Sequence, residues 1–347
     1  TANQTKDITV AKKTVYTVSG DFIGLKDGDS VTSLTFVNMD DKYEYSAAIT
    51  GNSYSISLRN GTYEVKAEAS GYDTLSHVIV KDKDVPRDLL FTTNSSVTLP
   101  LVKDIYVGCP EQANNYDTVR AAVAACKAMK PASEADRITV HIAPGVYREQ
   151  VIIDTPYISF VNTNPEEEVL LTWYYGIGYV YYSIGSDGYY SEAAAFDKYE
   201  KNTAQKWGAA TYIKGSATAF RAENITFEAS FNKYLTEEEV ADGVEPGGRD
   251  IKNYDRTAPN ADVTSRNATE RAAALAVEGN HSEFYNCKIV SSQDTLFTGN
   301  DSTSYFKNCF IDGNTDYIFG GGDFVFDACE LSFYGYSDTE ASGYITA

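Results

Sequence analysis

The sequence predicts an all-β protein in which a small antiparallel β-sandwich precedes a parallel β-helix. Three observations lead to this prediction: period-two alternation with regular turns before residue 93, a repeat of about twenty residues towards the C-terminus, and only one convincing helix. At about 150 residues a domain, 347 residues suggest two domains. We expect them at 1–100 and 101–347.

Apolar residues alternate with polar residues in three short runs between residues 43 and 69. The runs are Tyr43, Tyr45, Ala47 and Ile49; then Tyr54, Ile56 and Leu58; then Tyr63, Val65, Ala67 and Ala69. Gly51-Asn52 and Asn60-Gly61 separate them as turns. The pattern predicts a small sandwich and resembles the fibronectin-like or carboxypeptidase-regulatory-like accessory modules of secreted bacterial enzymes. The polar stretch 92–96 is the expected linker.

One helix is predicted over residues 116–129. Its apolar stripe consists of Val119, Ala122, Val123, Cys126 and Met129, and Pro131 ends it. Stacked coils leave unpaired strand edges and an open core at their end. We therefore expect this helix to cover the N-terminal end of the β-helix.

A repeat links three later segments, each with an aromatic residue three positions before a cysteine and an aliphatic residue two positions after it. The members are Phe284, Cys287 and Ile289; Phe306, Cys309 and Ile311; and Phe326, Cys329 and Leu331. Equivalent residues of a parallel β-helix stack at about 4.8 Å. The cysteines are thus expected to be buried thiols in an internal ladder, because five cysteines in all suit neither a disulfide framework nor a C-x-x-C pair.

Charge and composition exclude several functional classes. With 29 Lys and Arg against 49 Asp and Glu, the net charge of −20 disfavours nucleic acid and anionic membranes as partners. No apolar run approaches the roughly 18 residues of a membrane span, and no signal pattern opens the chain. Only three histidines are present, which favours carboxylate chemistry over a histidine-based site.

Two segments interrupt the regular strand pattern. Residues 173–199 are rich in tyrosine, and residues 231–268 are polar. We expect both to be long loops that extend from the coils, and loops of this length on rigid scaffolds commonly build binding sites.

Asp294 and Asp316 lie in apolar, repeat-embedded surroundings where a carboxylate is unusual. They are separated by one coil of 22 residues, so stacking would bring the two carboxylates together. Close carboxylates do not both ionise readily, and such a pair supplies an acid and a nucleophile. The alternative is a pair of solvated or turn-capping aspartates, and the spacing alone leaves both open.

Four blocks of this region resemble the signature motifs of the pectin methylesterases, in order along the chain. They are Gly145-Val146-Tyr147-Arg148-Glu149, Arg271-Ala272-Ala273-Ala274-Leu275, Gln293-Asp294-Thr295-Leu296 and Asp316-Tyr317-Ile318-Phe319-Gly320. The resemblance covers residues 103–347. It implies a right-handed parallel β-helix that hydrolyses the C6 methyl esters of homogalacturonan (pectin) to methanol and free carboxylates.

The resemblance also implies roles for individual residues. Asp316 would be the nucleophile, Asp294 the general acid and then base, and Gln293 a hydrogen-bond donor to the oxyanion. No metal or organic cofactor is expected. Candidates for packing against sugar rings or the ester methyl group are Tyr147, Phe297, Tyr317 and Phe319; for each of them plain core packing is the alternative.

Two departures from the family pattern concern the site. Arg271 stands where the family has a second oxyanion glutamine, and it could stabilise the oxyanion, bind a substrate carboxylate or turn away. Residues 343–347 resemble the stretch that precedes the family's arginine and tryptophan block, which is absent from this chain. We therefore expect either a fragment of a longer enzyme or an impaired one.

Two other functions stay open from the sequence. A galacturonan lyase or hydrolase would use the same fold, but its clustered aspartates with Gly-His-Gly, or its calcium site, are not found. A non-catalytic β-helix that only binds polysaccharide is the other alternative. In every case we expect a monomeric, secreted bacterial protein that acts on pectin, with its signal peptide outside this chain.

Overall fold

The computed structural model describes residues 13–74, 76–94, 98–246, 256–259, 261, 263, 270–333 and 343–347. The chain divides into two compact units. Unit 1 contains Thr1–Asn94 and Glu192–Tyr199, and unit 2 contains Ser95–Ser191 and Glu200–Ala347. The helices are α1 (Val119–Met129), α2 (Glu192–Asp197) and α3 (Glu237–Asp242), with 3-10 turns at Glu134–Asp136 and Lys206–Gly208.

Unit 1 consists of short strands in two sheets. The strands are β1 (Tyr16–Ile23), β2 (Val31–Asn38), β3 (Glu44–Ser46), β4 (Ala48–Thr50), β5 (Ser53–Leu58), β6 (Gly61–Ala69), β7 (Tyr72–Asp73), β8 (Ser76–Val80), β9 (Val85–Pro86), β10 (Leu89–Leu90) and β11 (Thr92–Thr93). One sheet has the order β10-β1-β5-β4 with β9 beside β1, and the other has the order β11-β7-β6-β2-β3 with β8 beside β6.

The two sheets of unit 1 share one core, so the predicted sandwich is present. Phe36 from one sheet packs on Tyr54 from the other, with ring centroids 5.7 Å apart. Most pairs are antiparallel, but β9 and β10 run parallel to β1. The alternating runs of the sequence correspond to β3 to β6, because their inward positions fill this core.

Residues 192–199 were predicted to lie in the domain 101–347, but the structure groups them with unit 1. Asp197 in this segment accepts a hydrogen bond from the backbone NH of His77 at 2.8 Å and forms an ion pair with Arg87. His77 also stacks on Tyr199 at 3.8 Å. These polar contacts depend on residues more than 100 positions apart, so local patterns did not reveal them. The domain boundary at residue 100 stays a prediction.

Unit 2 contains the remaining strands. They are β12 (Asp104–Val107), β13 (Asn115–Tyr116), β14 (Ile138–Ile142), β15 (Gly145–Arg148), β16 (Val151–Ile153), β17 (Ile158–Asn162), β18 (Val169–Trp173), β19 (Tyr179–Tyr181), β20 (Asn202–Thr203), β21 (Thr211–Ile213), β22 (Arg221–Glu223), β23 (Thr226–Ala229), β24 (Glu245–Pro246), β25 (Leu275–Val277), β26 (Ser282–Tyr285), β27 (Lys288–Val290), β28 (Leu296–Thr298), β29 (Thr303–Lys307), β30 (Phe310–Gly313), β31 (Ile318–Gly320), β32 (Asp323–Asp327) and β33 (Glu330–Phe333).

Three parallel sheets make unit 2 a parallel β-helix, as predicted. The first sheet has the order β13-β12-β14-β17-β22-β26-β29-β32, the second β15-β18-β23-β27-β30-β33 and the third β16-β21-β25-β28-β31. A regular coil contributes one strand to each sheet, for example β26, β27 and β28. Inward side chains stack from coil to coil: the ring centroids of Phe284 and Phe306 lie 4.4 Å apart and the rings are nearly parallel.

The repeat of the sequence marks the turn between the first and second sheets. Asn224, Asn286, Asn308 and Ala328 stand at equivalent turns, all with a left-handed backbone at φ 52–56°. Asparagine tolerates this conformation better than most residues, which explains its place before the cysteines. Cys287 and Cys309 are buried thiols and Cys329 is half-buried, so the predicted ladder is confirmed.

Helix α1 is confirmed, and it begins at Val119, after an N-cap at Thr118, rather than at residue 116. Its predicted stripe is buried and packs into the β-helix core, which the helix covers near β12 and β16. The carboxylate of Glu149 accepts hydrogen bonds from the first backbone NH groups, those of Val119 at 3.0 Å and Arg120 at 2.9 Å. A negative charge here also complements the helix dipole.

The two long interruptions are more ordered than the predicted loops. Strand β19 pairs with β20 and β24 in a small antiparallel sheet that joins the first interruption to the second. Tyr175, Tyr179 and Tyr181 are buried in the core rather than exposed on a loop surface. A buried ion pair between Arg256 and Glu239, at 2.7 Å, lies in the second interruption. Burial raises the pKa of Glu239 to about 8.

Candidate active site

Asp294 and Asp316 occupy the same turn, between the second and third sheets, in consecutive coils. Backbone bridges link Arg271 to Gln293 and Gln293 to Thr315, and the amide of Asp294 donates to the carbonyl of Thr315 at 3.0 Å. Asp294 follows Gln293 and Asp316 follows Thr315. The two aspartates therefore stack on each other one coil apart, at about 4.8 Å. The predicted juxtaposition of the two carboxylates is present in the structure.

Both aspartates have a left-handed backbone, with φ 61° at Asp294 and 48° at Asp316. This conformation is uncommon outside glycine, although aspartate adopts it more readily than bulky residues. The strand that follows ends at Gly320, where φ is +116° and a Cβ atom would lie 2.0 Å from the carbonyl oxygen of Thr298. The Asp-Tyr-Ile-Phe-Gly motif thus supplies two of the positive-φ positions of this coil, at Asp316 and Gly320.

Asp294 is only 5% exposed, and its pKa is raised to about 7. Burial is the main cause, and the charges of Asp316 and Glu270 add to it, while a hydrogen bond from Gln293 acts in the opposite direction. A carboxyl group with this pKa keeps its proton close to neutral pH. The pair can therefore offer a protonated acid beside a second, half-buried carboxyl group.

Arg271 stands one coil before the pair, in register with Gln293, and its side chain contacts Glu270 and Trp207. Its Nε is 3.6 Å from Oε1 of Glu270, and its guanidinium carbon is 5.8 Å from the ring centre of Trp207. The side chain is 28% exposed. Gln293, its register partner, hydrogen-bonds to Asp294. The two residues predicted to stabilise an oxyanion therefore stand side by side on neighbouring coils.

Phe297 and Phe319 stack in register on the outward face of the third sheet, just after the two aspartates. Their ring centroids are 5.2 Å apart, and both are half-buried. Trp207 packs on both rings, at 5.9 Å and 5.3 Å. We call these three residues the aromatic patch. Its place beside the aspartates suits contact with a sugar ring or a methyl group.

Sequence reasoning missed Trp207, because it lies in an irregular segment between the coils. Lys206, Trp207 and Gly208 all have positive φ, at 46°, 61° and 68°. Lys206 holds this turn through a 2.5 Å ion pair with Glu278. The only local signal for this turn was the Trp207-Gly208 pair. Glycine indicates a turn, but it does not indicate the direction in which the tryptophan side chain points.

Two of the predicted substrate-contacting residues are elsewhere, and this part of the prediction is corrected. Tyr317 is fully buried in the β-helix core. Tyr147 stands in the inward row with Leu171, Phe227 and Ile289, three coils or about 14 Å from the turn of Asp294. Its hydroxyl donates to the carbonyl of Ala143 at 2.8 Å. Both rings serve core packing, the alternative that the sequence left open.

Among the residues that the structure describes, no three His, Cys, Asp or Glu side chains are grouped so as to hold a metal ion. In the same part of the chain, no helix is long and apolar enough to cross a bilayer.

The fold and the site together define a parallel β-helix with an acidic pair at one turn, and comparisons with known proteins refine this class. Residues 253–347 match the family model described as Pectinesterase. Pectinesterase QRT1 of Arabidopsis thaliana is 30% identical over 206 residues, which cover 58% of this chain and 41% of that protein. A pectinesterase of Ralstonia nicotianae is 45% identical over 69 residues, covering 18% of this chain and 17% of that protein.

Among solved structures, pectin methylesterase PemA from Erwinia chrysanthemi is 21% identical with a TM-score of 0.46, covering 74% of this chain and 61% of that one. The pectin methylesterase from carrot is 22% identical with a TM-score of 0.42, covering 69% of this chain and 54% of that one. The resemblance to pectinesterases that the motifs predicted is confirmed by the match of residues 253–347 to the pectinesterase family model. The chain spans 41–51% of the length of the Arabidopsis thaliana relatives matched over more than 200 residues.

Proposed function

We propose that this chain is a carboxylic ester hydrolase that removes C6 methyl esters from homogalacturonan. The observation that carries the proposal is the stacking of Asp294 and Asp316 in consecutive coils, with the pKa of Asp294 raised to about 7. The match of residues 253–347 to the pectinesterase family model and the named relatives support the choice of substrate.

In the first half-reaction, a carboxylate oxygen of Asp316 attacks the ester carbonyl carbon. The carbonyl oxygen becomes an oxyanion, which accepts hydrogen bonds from the Gln293 amide and the Arg271 guanidinium. Such a contact is typically worth about 3 kcal/mol in the transition state. The bond to the methoxy group then breaks, and the proton of Asp294 leaves with it as methanol. An acyl-enzyme on Asp316 remains.

In the second half-reaction, Asp294 is ionised and accepts a proton from water. The water oxygen attacks the acyl carbon, and the bond to Asp316 breaks. The products are a galacturonic acid carboxyl group, which releases the second proton of the water to solvent, and the free Asp316 carboxylate, with the other proton on Asp294. Each group thus returns to its initial state after one water is consumed and one methanol released.

The aromatic patch supports a polysaccharide substrate. Its rings lie on the outward face beside the aspartates, where a pyranose ring can pack against Phe297, Phe319 or Trp207. We further propose that the protein is secreted, acts on the polymer outside the cell and is a monomer. Light scattering during size-exclusion chromatography tests the last point, since a mass near twice 38.1 kDa contradicts it.

Methanol release from methylated pectin tests the proposed function. The esterase releases methanol and leaves chain length unchanged. Unsaturated ends, or shortened chains without methanol, would indicate a galacturonan lyase or hydrolase instead. Pectin binding without any product would favour the purely binding β-helix. Glu283→Gln, which removes a half-buried charge paired with Arg221 on the first sheet, serves as the control variant and should retain full activity.

A further inference from the structure

Glu270 is a carboxylate beside the acidic pair that has no place in the mechanism above. It precedes Arg271, in the coil before that of Asp294, and its side chain is only 11% exposed. A nearly buried carboxylate close to a second one, that of Asp294, is costly, since like charges at short distance oppose ionisation. Its presence therefore calls for a functional explanation.

The backbone of Glu270 is tied to the coil that carries Asp294. The buried amide of Asn232 donates from Nδ2 to the carbonyl of Glu270 at 2.6 Å and to Oγ of Ser292 at 2.5 Å. The amide of Glu270 donates back to Oδ1 of Asn232 at 3.3 Å. Ser292 is two residues before Asp294, so these hydrogen bonds fix the position of Glu270 relative to that residue.

The carboxylate of Glu270 is held as well. Oε1 accepts the backbone NH of Arg271 at 3.0 Å and lies 3.6 Å from Nε of that residue. Among the described residues, the charged or titratable groups around Asp294 are Asp316 in the next coil and Glu270 with Arg271 in the preceding one. The carboxylate of Glu270 is thus held in the coil before Asp294, whereas Asp316 lies in the coil after it.

We propose that Glu270 is a positioning residue that keeps the proton on Asp294 and so extends its action as a general acid towards neutral pH. The negative charge of Glu270 disfavours ionisation of Asp294, and the neighbouring Arg271 offsets its repulsion of the oxyanion. This inference rests on the proposed function. A glutamine in place of Glu270 would keep the shape of the side chain and lose this effect.

Two measurements on the full chain test the proposal. The first is the pH dependence of kcat/KM for methanol release. We expect Glu270→Gln to move the basic limb down by roughly one pH unit. The second is the titration of Asp294 by 13C NMR of labelled aspartate carboxyls without substrate, with the signal assigned by its loss in Asp294→Asn. The midpoint should fall by a similar amount. Glu270→Asp keeps the charge and should restore most of the shift.

The controls separate this inference from its premises. Glu283→Gln also removes one negative charge, but from the first sheet rather than from the turn of Asp294. It should leave the pH profile of kcat/KM and the NMR titration of Asp294 unchanged. If Glu270→Gln titrates like the wild type, the proposal is wrong. If the wild type releases no methanol, the proposed function fails, and the NMR titration still decides the effect of Glu270 on Asp294. Glu270→Ala, also neutral, replaces the glutamine variant if the latter does not fold.

Discussion

At the scale of single residues, the site combines a buried carboxyl group with strained backbone, and both have a cost. Asp294 is 5% exposed, and both aspartates of the pair have positive φ. Neither feature stabilises the fold. Burial makes the ionised form of a carboxyl group unfavourable, and a positive φ at an aspartate costs conformational energy. Residues of this kind persist where their chemistry is needed.

Asp294→Asn should stabilise the β-helix at pH 8 and have little effect at pH 4. The pKa of Asp294 is about 7 in the folded protein and about 3.9 in an unfolded chain. The folded state therefore binds the extra proton between these values, and its stability falls as pH rises through this range. The variant removes a cost of about 4 kcal/mol at pH 8.

Calorimetry at the two pH values measures this effect, with the transition of the β-helix distinguished from that of unit 1. Each kcal/mol corresponds to about 2–4 °C in Tm for a unit of this size. A Tm that is unchanged at pH 8, or that rises equally at pH 4, would show that Asp294 is not a destabilising charge.

The sequence predicted the two aspartates but not all of their surroundings. The spacing of Asp294 and Asp316 equals one coil, so periodicity alone was enough to bring them together. It could not orient Tyr317, because the left-handed backbone at Asp316 interrupts the alternation of inward and outward side chains. Trp207 and Glu270 reach the site from irregular segments, where no periodic signal exists.

At the scale of elements, the turn of Lys206, Trp207 and Gly208 adds a third ring to the aromatic patch. Trp207→Ala should raise KM for pectin about three- to tenfold and change kcat little, because a packing contact with bound sugar is lost in both ground and transition states. Steady-state kinetics with a methyl-esterified oligogalacturonate provides the measurement.

The matched control for Trp207 is Tyr43→Ala, which removes a ring that is 62% exposed in unit 1. It should leave KM unchanged. A Trp207→Ala enzyme with wild-type KM would mean that this ring only supports Phe297 and Phe319 as packing.

Helix α1 depends on Glu149 at its N-terminus. Glu149→Gln should lower the Tm of the β-helix by several degrees, since it removes a charge that accepts two backbone hydrogen bonds and complements the helix dipole, together worth about 1–2 kcal/mol. Glu166→Gln, at an exposed position, is the comparison. Equal Tm values for the two variants would contradict a capping role.

The elements that the sequence predicted best are those with strong local periodicity. The stripe from Val119 to Met129 reflects the need for a buried helix face, and the repeat of aromatic residue, cysteine and aliphatic residue reflects the stacking of inward side chains from coil to coil. The antiparallel sheet of β19, β20 and β24 was predicted as loop, because its strands are two or three residues long and pair across distant segments.

At the scale of the whole molecule, the net charge of −20 should oppose a polyanionic substrate. KM for pectin of low ester content should therefore fall as NaCl rises from about 10 to 200 mM, since screening shortens the reach of the repulsion. Nearly neutral, highly esterified pectin is the control and should show little change. A KM that increases with salt on the low-ester polymer would point to net attraction.

The central claim is that stacked aspartates make this β-helix an ester hydrolase, and methanol release by Asp316→Asn tests it most directly. The substitution keeps the size and shape of the side chain but removes the nucleophilic carboxylate. We expect the wild type to release methanol from methylated pectin and the folded variant to lose at least about a thousandfold in kcat. A variant that retains more than about a tenth of wild-type kcat would contradict the account.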